Sequence, residues 1–149
     1  MRTLDDLSPG DRFAGGPVTV TEEAIFEFAG RYDPQPFHLD REAAKDSVFG
    51  GLAASGWHTA ALTMRMIVEG ETRLAGGHVG LSIEELAWPQ ATRPGDVLRV
   101  VSEVLEIRPS TKRPDRGTVR MQTLTYNQKD EVVQRMTALL LVPRRRTAD

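Results

Sequence analysis

The sequence predicts an α+β protein in which a curved antiparallel β-sheet wraps around a central buried α-helix. Two observations carry that expectation. From Ser55 to about Gly70 runs a helical pattern with apolar or small residues on nearly every face, and a helix apolar all round must be surrounded by protein. After it come four strand-like segments with no helix between them, which implies an antiparallel sheet and not βαβ units. At 149 residues the chain can bury one sizeable core, so residues 1–149 are read as a single domain.

Taken in order, Ser8-Pro9-Gly10-Asp11 is turn chemistry, with proline presetting φ and glycine allowing the reversal. Arg12 to Val20 reads as extended, with an interruption or bulge forced by Gly15-Gly16-Pro17. Thr21 suits an N-cap, and Glu22 and Glu23 place negative charge against the helix dipole. Ile25, Phe28, Ala29 and Tyr32 then mark one apolar helical face. Pro34 disfavours helical geometry at Asp33, so the helix stops there. Pro34 and Pro36 are expected to keep the segment between Asp33 and His38 out of any helix. Asp40 caps a short helix over Arg41 to Ser47, which Phe49-Gly50-Gly51 breaks. Ser55 opens the central helix and Gly70 is its C-cap. The strands are His78 to Trp88, Val97 to Ile107, Thr118 to Asn127 and Glu131 to Val142. Turn signals at Pro94-Gly95-Asp96, Pro109 to Gly117 and Asn127 to Asp130 separate them. Pro143 to Arg146 reads as a solvated, frayed end.

Composition removes several function classes. Apolar residues make up 40% and charged residues 27%, ordinary for a soluble globular protein. A formal charge of -2 gives no electrostatic case for nucleic acid or an acidic membrane. With no cysteine there is no disulfide, thiolate nucleophile or thiolate metal site. No apolar run approaches the roughly 20 residues of a membrane span, and the N-terminal residues lack a signal peptide's apolar region. The expected location is cytoplasmic. Histidines 38, 58 and 78 are too scattered to suggest a metal, and no phosphate-binding glycine pattern is present.

What remains is a constellation around Asp33-Pro34-Gln35-Pro36-Phe37-His38. Two groups able to exchange protons sit five positions apart on a stiff segment. Ala54-Ser55-Gly56-Trp57-His58-Thr59 follows and opens the apolar helix with a bare glycine amide. A structural account is available for each residue: Asp33 could cap a turn, and His38 could be a hydrogen-bonded structural histidine. Proline spacing, the helix glycine and the strand order favour the functional one.

The stretch Phe28 to Asp40 closely resembles the hydratase motif of MaoC-like proteins, a family that includes the (R)-specific enoyl-CoA hydratases. The motif runs Asp-x-Asn-Pro-x-His, followed by a small-residue stretch ending in His-Gly at a helix start. Asp33, Pro36 and His38 keep the spacing, Gln35 replaces the asparagine, and Ser55 replaces the histidine before Gly56. The resemblance covers most of the domain and implies a hotdog fold, which the strand order also fits. It implies a hydratase/dehydratase interconverting a trans-2-enoyl thioester, coenzyme A-linked, and its (R)-3-hydroxyacyl counterpart. No cofactor or metal is implied beyond the coenzyme A of the substrate.

On that resemblance His38 is the base toward water and Asp33 the partner acting at C2. Gly56 is the oxyanion donor, because the first N–H of a helix has no intrahelical partner and carries the positive end of the dipole. Phe37, Phe49, Ser55, Trp57, His58 and Met64 are candidates to line the substrate tunnel. For several of them a plainer role is at hand: Ser55 as N-cap, His58 as a packing or supporting residue whose protonation the dipole disfavours, Met64 and Met66 as core. Arg108, Lys112, Arg113 and Arg116 form a basic loop that could hold coenzyme A phosphates or simply be a solvated hairpin. The resemblance also implies a homodimer or higher oligomer. Two other functions compete: a hotdog acyl-CoA thioesterase, which would need a carboxylate on or facing the central helix where Glu69 lies only at the far end, and a non-catalytic acyl-thioester-binding protein.

Overall fold

The Ser8–Asp11 turn feeds strand β1 (Arg12–Thr19) into a five-stranded sheet, seen in a computed structural model that describes residues 1–147. The remaining strands are β2 (Val79–Ala87), β3 (Val97–Pro109), β4 (Arg116–Tyr126) and β5 (Val132–Pro143). They lie in the order β1-β3-β4-β5-β2, and every neighbouring pair is antiparallel. The Gly15–Val18 stretch shifts the register of β1 against β3, the interruption expected of Gly15-Gly16-Pro17. The architecture is the expected α+β one, a curved antiparallel sheet carrying a helix.

Among the described residues there are four α-helices, α1 (Glu22–Tyr32), α2 (Pro36–Leu39), α3 (Arg41–Lys45) and α4 (Gly56–Glu69), and α4 packs on β1, β3 and β5. Thr21 caps α1 by accepting from the Ala24 N–H, and Asp40 caps α3 by accepting from Glu42 and Ala43. Helix α3 stops at Lys45, two residues short of Ser47. Helix α2 corrects the expectation that prolines exclude helix here. Pro36 stands at its first position, where a missing N–H costs nothing and a φ near −65° is already helical. His38 therefore rides on a single helical turn. The apolar face of α1 is also narrower than its spacing suggested: Ile25 and Ala29 are buried, but Tyr32 is exposed.

Helix α4 is not buried all round. His58, Thr59, Thr63, Met66 and Ile67 are buried, whereas Trp57 is 60% exposed, Met64 39% and Val68 54%. Met64 thus leaves the core to Met66. The sheet is also longer than the helix: 14 helical residues span about 21 Å, while the 13 residues of β3 extend roughly 43 Å. The core divides accordingly. One cluster lies under α4 around Ile25, Met66, Leu98, Val100 and Val133. The other is closed by the N-terminal Leu4 and Leu7 over Val104, Val119, Met121 and Val142. The C-terminal arginines are pinned there as well. Arg144 pairs with Asp5 at 2.8 Å and its N–H donates to the Asp115 carbonyl, so the tail is tied down at least to Arg145 and is not frayed at that point.

Candidate active site

Asp33 is the C-cap of α1, with its N–H bonded to the Ala29 carbonyl at 2.9 Å. One turn of chain later His38 is buried on α2, and its Nδ1 stands 2.6 Å from the Ala53 carbonyl. A carbonyl can only accept, so Nδ1 carries a proton and Nε2 is the ring nitrogen left to exchange one. Nε2 lies 3.3 Å from Asp33 Oδ2. The same Oδ2 accepts from Ser55 Oγ at 2.7 Å, and Oδ1 accepts from Gln35 Nε2 at 2.6 Å. Burial works against ionisation of Asp33, but the hydrogen bonds from Ser55 and Gln35, with His38 beside them, outweigh it and hold the carboxyl below the usual range.

Ser55 does two things at once. Its oxygen caps α4 by accepting from the Trp57 N–H, and its hydroxyl proton goes to Asp33. The Gly56 N–H, next in line, donates to nothing among the described residues. Gly56 and His38 line one cavity of about 370 Å³, with Phe37, Phe49, Thr59 and Trp88 among its walls. Gly56 has to be glycine here for a packing reason: an added Cβ would come within 2.6–2.8 Å of the Trp88 ring. The Trp88 indole N–H is in turn fixed on Gln134 Oε1 at 2.9 Å.

Of the residues singled out from sequence, Asp33, His38, Ser55 and Gly56 come together, and Phe37 and Phe49 join them at the cavity. Phe37 lies edge-on to His38, with ring centroids 4.6 Å apart. Trp57 does not line the cavity but packs edge-on against Trp88. Met64 lies on the exposed side of α4. His58 is buried, stacked on Phe28 with centroids 4.8 Å apart, and burial pushes its pKa down. Arg108, Lys112, Arg113 and Arg116 stand at the opposite end of β3 from Thr92 and the cavity, roughly 40 Å along the strand. There Arg113 and Arg116 pair with Asp115, and Arg108 with Glu106. Glu69 is at the far end of α4, paired with Arg65.

Sequence reasoning missed Trp88, Gln134 and the contact made by Gln35. A tryptophan followed by proline at a strand end was a visible signal for Trp88. Nothing local marks Gln134, a glutamine in a strand whose role depends on a residue 46 positions away. Among the described residues no helix is long and apolar enough to cross a membrane.

Comparison with known proteins bears on the family of the chain. A family model described as the MaoC like domain matches residues 8–127. The chain is similar to the crystal structure of a MaoC-like dehydratase from Rhodospirillum rubrum, with 55% identity, a TM-score of 0.96, and coverage of 99% of this chain and 100% of that one. It is also 32% identical to the 3-hydroxybutyryl-CoA dehydratase of Methylorubrum extorquens over 117 residues, 78% of this chain and 69% of that protein. An R-hydratase from Pseudomonas aeruginosa superposes with a TM-score of 0.77 at 26% identity, covering 99% of this chain and 92% of that one. The fold is shared with a Mycobacterium tuberculosis protein described as a double hotdog fold, at a TM-score of 0.82 and 18% identity, where this chain covers 46% of the other.

Proposed function

The chain belongs to the MaoC-like dehydratase family, and from that membership we propose that it interconverts a trans-2-enoyl thioester, coenzyme A-linked, and the (R)-3-hydroxyacyl thioester. The observation that carries this reading is Asp33 Oδ2 facing His38 Nε2 at 3.3 Å beside a cavity that Gly56 also lines, its N–H without a partner among the described residues. Two acceptors do not face each other at this distance without a proton between them. The pair therefore works with a single shared proton.

In hydration, the thioester oxygen accepts from Gly56 N–H, at the positive end of α4. His38 Nε2 takes a proton from water as the water oxygen bonds to C3, and the C2=C3 electrons move toward the thioester oxygen. Collapse of that charge forms the C2–H bond with the proton held by Asp33. The step leaves an imidazolium and a carboxylate, and one proton passing from Nε2 to Oδ2 restores the pair. Dehydration runs in reverse, with Asp33 as base at C2 and His38 as acid toward the departing hydroxyl. The depressed pKa of Asp33 favours the state from which dehydration starts. An amide donor of this kind is worth about 2.7–4 kcal/mol where it has been removed in other enzymes.

The position of Glu69, some 20 Å along α4 from Gly56, gives the thioesterase reading no support. We further propose a homodimer joined through β2, an edge strand on which Val79, Leu81 and Ile83 are each about half exposed. The test of the activity is hydration of crotonyl-CoA followed by loss of the enoyl thioester absorbance. Asp33→Asn and His38→Gln should each lose about 10²–10⁴-fold in turnover with an unchanged circular dichroism spectrum. Wild-type rates in both variants would sink the assignment.

A further inference from the structure

Arg93 makes an unusual set of contacts. Its Nη1 donates to the carbonyls of Gly51 at 3.0 Å and Leu52 at 3.2 Å, and its Nη2 to the Phe49 carbonyl at 2.5 Å. Among the described residues it makes no ion pair, so the whole charge is directed at backbone oxygens of one loop. That loop joins α3 to α4 and turns at Gly50, where φ is +65°. Arg93 itself follows Ala91 and Thr92, which line the cavity. One guanidinium thus joins two walls of the same cavity.

The ring carried by the stapled loop is Phe49, which lines the cavity with its centroid 5.1 Å from Phe37 and 6.1 Å from His38. On the hydratase reading, the thioester oxygen sits at Gly56 and C3 at His38 Nε2. Acyl carbons beyond C3 must continue past His38, away from Gly56 and the Trp88 ring that covers it. We propose that Phe49 is the specificity-determining residue for the acyl chain beyond C3, and that Arg93 is the positioning residue that holds it there. Only a planar, forked cation can reach all the carbonyls together; an ammonium is a point charge. This inference rests on the hydratase reading of the cavity, and the experiment separates the two.

Phe49→Ala, Arg93→Met and Arg93→Lys are compared with wild type for kcat/KM on crotonyl-CoA and trans-2-octenoyl-CoA. Affinities for butyryl-CoA and octanoyl-CoA are measured by calorimetry, and backbone exchange by mass spectrometry. Phe49→Ala should raise the eight-carbon to four-carbon ratio about tenfold or more, the usual effect of reshaping an apolar pocket by a few carbons. Arg93→Met should move that ratio in the same direction, with faster amide exchange confined to residues 47–54. Arg93→Lys should fall between Met and wild type, and it carries the arginine test if Arg93→Met does not fold. An unchanged ratio in Phe49→Ala overturns the proposal. Faster exchange in Arg93→Met without a change in ratio overturns the role of Arg93. If wild type hydrates neither enoyl thioester yet binds the saturated pair, the hydratase reading fails while the affinity ratio still decides the wall. Binding of neither thioester overturns both.

Discussion

Asp33 receives a donor on each carboxylate oxygen, Ser55 on Oδ2 and Gln35 on Oδ1, with His38 Nε2 as a further neighbour of Oδ2. Those contacts fix both its geometry and its protonation. Because its pKa is lowered in the folded protein, the acid limb of the pH–rate profile should lie below the ordinary carboxylate range. Ser55→Ala removes a donor that lowers the pKa, so that limb should move to higher pH, and the lost cap should cost about 0.5–2 kcal/mol in thermal stability. An acid limb in Ser55→Ala identical to that of wild type would contradict this account. Gly56→Ala is a second test. Its new Cβ would overlap the Trp88 ring at 2.6–2.8 Å, so the ring or the helix start must shift. We expect a fall in kcat of about 10²-fold, as when an oxyanion donor is misplaced. A Gly56→Ala enzyme with wild-type kcat would exclude the amide from the oxyanion site. Gln35, which stands where the family motif has asparagine, bonds Asp33 Oδ1 through its amide at 2.6 Å.

At the scale of elements, the site is assembled where short helices end. Helix α1 delivers Asp33 at its C-terminus, α2 carries His38 on one turn, and α4 begins at Gly56. Asp40 closes α2 and caps α3 through Glu42 and Ala43. Asp40→Ala should therefore lower stability by about 1 kcal/mol and loosen the turn that holds His38. The check is a lower melting temperature together with a reduced kcat on crotonyl-CoA. Unchanged values for both would mean that α2 is fixed by packing alone. The caps and the Gly70 stop were legible locally, since each depends on one residue and its immediate neighbours. The existence of α2 was misread because Pro36 was treated as a helix breaker when it stood at the first helical position.

For the whole molecule, the exposed apolar residues define a surface. Val79, Leu81 and Ile83 on the β2 edge and Trp57, Met64 and Val68 on α4 are all open to solvent in the single chain. Light scattering should give the mass of a dimer for wild type and of a monomer for a Leu81→Lys, Ile83→Lys double variant. A monomeric wild type would remove the homodimer proposal. Acid stability is the other global property. Asp5, Asp6, Asp33 and Asp115 all have pKa values lowered by folding. The unfolded chain therefore binds protons more readily. The stability these groups contribute is fully present above the ordinary carboxylate pKa and is lost as pH falls through their folded values. The melting temperature should be flat with respect to these groups near neutrality and drop below about pH 4, where unfolded aspartates protonate. Asp33→Asn should flatten part of that drop.

The sequence by itself determined the strand count after the central helix, the caps, the ends of α1 and α4, and the spacing that brings Asp33, His38 and Gly56 together. Each is written in periodicity, turn chemistry or spacing over a few residues. Only the tertiary structure decided which side of α4 stays exposed, because an all-apolar helix does not say how much of it the sheet covers. It also decided that Leu4 and Leu7 close the half of the sheet that α4 is too short to reach. The basic residues of the 108–116 hairpin were placed by strand length, which carries them to the opposite end of the sheet from the cavity. Trp88 against Gly56, Gln134 behind Trp88 and Arg93 on the carbonyls of Phe49, Gly51 and Leu52 join residues 32 to 46 positions apart. Such contacts follow from how the sheet and helices pack, which no local pattern of residue types records.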